Sequence, residues 1–163
     1  MAALVNGGNY VVPTFYPRTV EEAGKRYRRV ISEETSRKLR YLIRLNALDG
    51  SGSRMNKIAG GYRAGGKTGT AEKVVDGRYA ANTNLNTFAA AFPMDDPRYV
   101  LLVLVDEPKA ENPQSGTTAG WNAGEVVGRI IQRTAPMLGI APNFDPSLDA
   151  ALLPEELVGI AIQ

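Results

Sequence analysis

Two patterns of apolar positions set the expected architecture. Between positions 39 and 48, Leu39, Leu42, Ile43 and Leu45 to Leu48 recur at helical spacing, with Arg37, Lys38, Arg40 and Arg44 on the other faces. Ser32 precedes them as an N-cap, Glu33 and Glu34 stand at the positive end of the helix dipole, and Asp49-Gly50 closes the run. This helix reads as plain core packing. Further on, Thr87 to Phe92 and Tyr99 to Val105 predict two strands, and the polar connection Pro93-Met94-Asp95-Asp96-Pro97 makes them an antiparallel hairpin. The second strand is apolar on both faces, which predicts a central strand covered on both sides. Asn122 predicts the cap of another helix, with Glu125 at capping-box spacing and Val126, Val127, Ile130 and Ile131 as its apolar face. Pro136 ends that helix at about Ala135.

The remaining stretches carry weaker signals. Residues 2–8 read as a last helical turn stopped by Gly7-Gly8, and Tyr10 to Phe15 is β-rich with Pro13 marking an edge or strand end. Residues 17–29 and 51–60 read as loops. A third strand is expected from Lys67 to about Val75, turned by Asp76-Gly77. Beyond Gly139, three prolines, scattered aliphatics and several acids assign no element. There is no internal repeat. Helix, three strands, helix is an α+β order: an antiparallel sheet with helices packed on it.

Composition narrows the chemistry. At 163 residues the chain can form one domain that buries roughly 70% of its unfolded surface. A net charge of +2 is too balanced for a nucleic-acid partner, and the one basic cluster, Lys25-Arg26-Tyr27-Arg28-Arg29, reads as a solvated approach to a helix. With no Cys and no His, zinc fingers, cysteine nucleophiles, Ser-His-Asp triads and His-ligated metals are excluded for this chain alone. No run of about 18 apolar residues could span a membrane, and no export signal stands at the N-terminus.

The candidate chemistry lies in Gly66-Lys67-Thr68-Gly69-Thr70, which admits two readings. One is a lysine box on the edge of a β-strand, as in penicillin-recognising serine acyltransferases. The other is a phosphate loop, because Gly61 to Thr68 fits G-x-x-x-x-G-K-[ST], and Asp106, at the end of the apolar run from Tyr99, would hold Mg²⁺. The flanks favour the strand. No apolar run ends just before Gly61, and Gly69 followed by Val74-Val75 is poor material for the helix a phosphate loop must open.

The wider sequence resembles the C-terminal part of the transpeptidase domain of class B penicillin-binding proteins, of the cell-division type. The likeness rests on Asn6-Gly7-Gly8 with Tyr10 to Pro13, Arg29 to Ser32, Gly65 to Lys73, Phe88 to Pro93, Pro97 to Val100, Val105 to Pro108, and the helix from Asn122 through Pro142. It covers residues 1–142 and leaves 143–163 as an unassigned tail. It implies that the three strands are part of a five-stranded parent sheet with a β-lactamase-like arrangement. It further implies a serine D,D-transpeptidase that cross-links peptidoglycan stem peptides at D-alanyl-D-alanine, is acylated by β-lactams, works on the extracytoplasmic side and needs no cofactor.

In that family Lys67 would direct positive charge at the substrate and its proton relay. Thr68 and Thr70 would offer hydroxyls, Thr70 to the terminal carboxylate. The Thr70 N–H would form half of the oxyanion hole, and Gly69 would leave room for the substrate backbone. The departure is equally clear. The chain has no Ser-x-x-Lys and no Ser-x-Asn, only the decoys Thr35-Ser36-Arg37-Lys38 and Thr70-Ala71-Glu72-Lys73. The chain is therefore expected to be inactive alone. The alternatives are a nucleoside triphosphatase using Lys67, Thr68 and Asp106, and a non-catalytic partner-binding module. An exposed sheet edge is expected to favour homo-oligomers.

Overall fold

One long hairpin and its return strand organise the chain. The computed structural model describes residues 1–110, 112 and 114–154, the side chains of residues 75, 81 and 82 excepted. β3 (Gly65–Val75) turns through Asp76 and Gly77, both at positive φ, into β4 (Arg78–Phe92), and β5 (Tyr99–Asp106) completes an antiparallel sheet of order β3-β4-β5. The two-residue Asp-Gly turn and the polar Pro93–Pro97 connection sit where their residues demand. A smaller sheet pairs β1 (Asn9–Val11) with β2 (Tyr27–Arg29), beside the short helix α1 (Ala2–Val5). The strand near Tyr10 is thus shorter than its β-rich sequence suggested.

Three expectations are corrected here. The segment 17–29 is not simply loop. Thr19 and Glu22 form a reciprocal capping box that starts α2 (Val20–Gly24), and β2 follows. The segment 51–60 holds a helix, α4 (Ser53–Ile58), which uses no side-chain N-cap and so carried no local start signal. And β5 is not central. It lies at the sheet's edge, with alternate residues half-buried and exposed; Val100, Leu102 and Leu104 are 47%, 58% and 57% accessible.

α3 (Glu33–Asp49) begins where expected, with Ser32 Oγ accepting from the Thr35 N–H at 3.0 Å. Its apolar pattern, however, misidentified the inner face. Leu42, Leu45 and Leu48 are exposed, whereas Ser36, Arg44 and Ala47 are buried. Arg44 turns inward because partners wait for it. Its Nε and Nη2 donate to Asp149 Oδ1 and Oδ2 at 2.8 and 3.0 Å, and its Nη1 donates to Asn56 Oδ1 and the Ala64 carbonyl.

α5 (Ala123–Thr134) packs on the sheet and α4 through Ala123, Gly124, Val127, Gly128 and Ile131, with Gly128 against Met55 and Ile58 of α4, a face of smaller residues than the Val-Ile stripe expected; Val126 is exposed. Asn122 Oδ1 caps Ala123 N–H at 2.7 Å, but Glu125 engages Arg129 and Arg54 instead of closing a capping box. The main core joins α5 and α4 to Phe88, Ala90 and Phe92 of β4. A 3₁₀ turn (Pro136–Leu138) follows, and then α6 (Ser147–Ala150). Within the segment 143–163, Asn143 donates to the Gly61 carbonyl at 2.7 Å, Asp149 reaches Arg44, and Leu152 is buried; residues 155–163 lie outside the described residues.

Candidate active site

β3 carries the lysine box on an edge that no strand covers among the described residues. Two glycines fit it to its neighbour. A Cβ at Gly66 would lie 2.2 Å from the Phe88 ring, so Gly66 is what lets that ring lie under the strand. A Cβ at Gly69 would lie 2.5 Å from Thr87 Oγ1. Gly69 therefore has a cross-strand reason to be glycine in addition to the open edge that the sequence suggested.

The register assigns the faces. Thr68 stands opposite Phe88 and Thr70 opposite Asn86, so both hydroxyls face the α5 side, while Lys67 stands opposite Ala89 on the other face. The Gly66 carbonyl is bonded by Asn46 Nδ2 of α3 at 2.7 Å. Since outward-facing backbone groups alternate along an antiparallel strand, the free edge presents residues 66, 68 and 70. The Thr68 and Thr70 backbone thus faces the open edge.

Polar side chains gather along that edge. Lys67 Nζ curls back to donate to the Thr68 carbonyl and to Thr68 Oγ1, both at 3.1 Å. Thr68 Oγ1 and Ser51 Oγ are 3.1 Å apart, and Ser51 Oγ donates to Asn46 Oδ1 at 3.3 Å. With Ser51 donating to Asn46, Thr68 donates to Ser51, so a directed chain runs from the Lys67 ammonium back to α3. Thr70 Oγ1 accepts from the Ala119 N–H at 3.3 Å.

The loop bearing Ala119 is held by Asn86, which the sequence did not single out, and by Asn122, which it read only as a helix cap. Asn86, fully buried on β4, donates to the Thr117 carbonyl at 2.6 Å and to Asn122 Oδ1 at 3.0 Å; its own Oδ1 has no partner among the described residues. Asn122 Nδ2 donates to the carbonyls of Thr117 and Thr118. An asparagine inside a β-strand was the one available signal, since such a residue must find partners when buried. Between this loop and α4 opens a cleft of about 560 Å³, lined by Ser51, Arg54, Lys57, Thr68, Thr70 and Trp121 among others.

The phosphate-loop alternative does not survive this geometry. Lys67 and Thr68 lie inside a strand, no helix begins at Thr68, and Asp106 pairs with Lys73. The decoys fare no better as nucleophile-and-base pairs. Lys38 pairs with Glu34 on the surface of α3. Thr70 and Lys73 are strand residues about 10 Å apart along the chain. The hydrogen bonds that Lys73 donates to Asp106 and then to Glu107 raise its pKa above its ordinary value, so it is a poor base. Among the described residues no three His, Cys, Asp or Glu side chains gather as metal ligands, and no helix is long and apolar enough to cross a membrane.

A lysine lies on the open edge of an antiparallel sheet, and two threonines of the same strand line a cleft beside the loop before the last long helix. The chain belongs to the penicillin binding protein transpeptidase domain family, whose pattern matches residues 1–132. It is 41% identical over 150 residues to a probable peptidoglycan D,D-transpeptidase FtsI of Caulobacter vibrioides, covering 86% of this chain and 25% of that protein. It is 37% identical over 152 residues to the stage V sporulation protein D of Bacillus subtilis, covering 88% and 23%. The chain therefore spans about a quarter of the length of these relatives. Among solved structures, the transpeptidase domain of Burkholderia pseudomallei penicillin-binding protein 3 matches with a TM-score of 0.73 at 29% identity, covering 88% of this chain and 41% of that one. Mycobacterium tuberculosis penicillin-binding protein 3, complexed with aztreonam, matches with a TM-score of 0.62 at 26% identity, covering 88% and 34%.

Proposed function

We propose that this chain supplies the lysine-box half of a peptidoglycan D,D-transpeptidase site. The observation that carries the reading is the open β3 edge, where Thr68 and Thr70 present both backbone and hydroxyl groups. A stem peptide ending in D-alanyl-D-alanine would lie along that edge as an added strand, the mode by which sheets take up extended peptides. The Thr70 N–H would face the carbonyl under attack and stabilise the developing oxyanion, a contact worth about 10²–10³ in rate elsewhere. The hydroxyls of Thr68 and Thr70 would meet the terminal carboxylate. The Lys67 ammonium, already held at the edge by Thr68, would supply positive charge to the reacting region.

The reaction is acyl transfer. A serine oxygen bonds to the penultimate D-alanine carbonyl carbon, the peptide C–N bond breaks, and terminal D-alanine leaves with a proton. An amine of a neighbouring stem then displaces the serine. No Ser-x-x-Lys motif stands in this chain, and the reading takes the nucleophile from elsewhere. The relatives' names, and the aztreonam complex of a structural neighbour, support a cell-wall site of this chemistry on the extracytoplasmic side. The β5 edge, unpaired among the described residues, supports self-association of the isolated chain.

The test has two arms. Incubation with penicillin is expected to leave the intact mass unchanged, whereas a gain of one β-lactam mass would show a nucleophile in the chain. Titration with an N-acylated peptide ending in D-alanyl-D-alanine is expected to move the backbone amides of residues 66–71. Shifts confined to any other surface would sink the reading.

A further inference from the structure

Asn86 is an unfavourable choice for the place it occupies. It is fully buried on the central strand β4, on the face that also carries Phe88, Ala90 and Phe92 into the core. Its Nδ2 makes two hydrogen bonds, but its Oδ1 is buried without a partner among the described residues. An apolar side chain of similar size would remove that unpaired oxygen. Nor do the two acceptors depend on Asn86. The Thr117 carbonyl also accepts from Asn122 Nδ2 at 3.1 Å, and Asn122 Oδ1 also accepts from the Ala123 N–H at 2.7 Å. What Asn86 adds is a tie between β4 and the loop that leads to α5.

That tie closes a circuit on the lysine-box strand. Asn86 stands opposite Thr70 in the β3–β4 register, and the loop it holds returns to Thr70, whose Oγ1 accepts from the Ala119 N–H at 3.3 Å. The loop has little slack beside the strand, because a Cβ at Gly120 would lie 2.9 Å from the Ser51 carbonyl. The circuit also sets the polarity of one hydroxyl. A hydroxyl has a single proton to give, and with an N–H on its oxygen Thr70 keeps that proton for another acceptor. Thr68 differs, since its oxygen receives Lys67 Nζ and its proton goes to Ser51 Oγ.

Building on the strand-edge reading above, we propose that Asn86 is a positioning residue, whose amide holds the 117–119 loop so that the Ala119 N–H stays on Thr70 Oγ1 and the Thr70 proton is left for the bound peptide. The test uses the whole isotope-labelled chain and the near-isosteric Asn86→Leu. Its urea midpoint is expected to match or exceed that of the unaltered chain, and the Phe88 and Ala90 amides of β4 should keep their hydrogen-exchange rates. The Ala119 amide is expected to exchange about tenfold faster. Thr70→Val, which removes the acceptor, should speed that amide by the same factor, and the double variant should be no faster than either, because both changes break one circuit. An N-acylated peptide ending in D-alanyl-D-alanine should bind Asn86→Leu about tenfold more weakly while still moving the amides of residues 66–71. A large fall in the urea midpoint would make Asn86 a stability residue and overturn the proposal. If the Ala119 amide keeps its protection in Asn86→Leu, or the two single effects add, the positioning role is wrong and the strand-edge reading stands. If the peptide leaves β3 unmoved in the unaltered chain, that reading falls and the role of Asn86 in binding falls with it.

Discussion

At the scale of the residue, the lysine box is shaped as much by what lies beneath it as by what it offers to a ligand. Gly66 and Gly69 both sit where a side chain would collide, but with different neighbours. At Gly66 the obstacles are the Phe88 ring and, at 2.9 Å, the Ala89 carbonyl; at Gly69 the close obstacle is the tip of Thr87. A backbone atom cannot step aside and a hydroxyl can. Gly66→Ala is therefore expected to cost about 2–3 kcal/mol and Gly69→Ala about 1 kcal/mol in urea denaturation. Adding Thr87→Ala should recover most of the loss for Gly69→Ala and none of it for Gly66→Ala. Equal costs, or no rescue, would mean that these glycines answer to the open edge alone. The sequence singled out Gly69 for that edge, but it had no means to see Thr87, which is distant in the chain and adjacent only through strand register.

At the scale of the element, α3 and the segment around α6 are joined by charges the sequence scattered 105 positions apart. Asp149 accepts two hydrogen bonds from Arg44, and Arg63 Nη2 approaches it at 3.2 Å. Arg63 also pairs with Asp95 at 2.9 Å, and Arg44 holds the Ala64 carbonyl immediately before β3. The cluster thus ties α3, the root of the site strand and α6 together. Removing one partner leaves buried arginine charge, so Asp149→Ala is expected to cost about 2–4 kcal/mol of stability. Burial by itself would raise the Asp149 pKa, but the Arg44 hydrogen bonds and the Arg44 and Arg63 charges outweigh it and hold the carboxyl below its ordinary value of 3.8. A depressed folded pKa gives stability that is present above 3.8 and lost as the pH falls through the lower folded value. The variant should lack that part of the acid sensitivity. Parallel stability–pH curves for the two proteins between pH 5 and about 2 would show that Asp149 is not the linked group.

At the scale of the whole molecule, the sheet has two free edges with different characters. The β3 edge is polar and carries the candidate site. Among the described residues the β5 edge is unpaired, and it adjoins the exposed row Val100, Leu102 and Leu104. An unpaired strand beside an apolar face is a template for another strand. The isolated chain is expected to associate as its concentration rises, and Leu102→Lys with Leu104→Lys should return it to a monomer by sedimentation velocity. A monomer at every concentration for the unaltered chain would show that this face does not pair with itself.

Much of this was decided locally and could be read from the chain. Ser32 and Asn122 start helices because their side chains satisfy nearby N–H groups, Asp76-Gly77 makes the tight turn, and Gly69 with Val74-Val75 keeps Lys67 on a strand. The family resemblance also rested on ordered local motifs. Only the tertiary structure decided which face of α3 turns inward, because Asp149 and the Ala64 carbonyl give Arg44 partners that outweigh its intrinsic preference for water. It likewise placed α4, which lacks a capping side chain, against α5 and beside the site. It put Asn86 opposite Thr70 on the neighbouring strand, since strand register brings together residues that no spacing in the sequence connects.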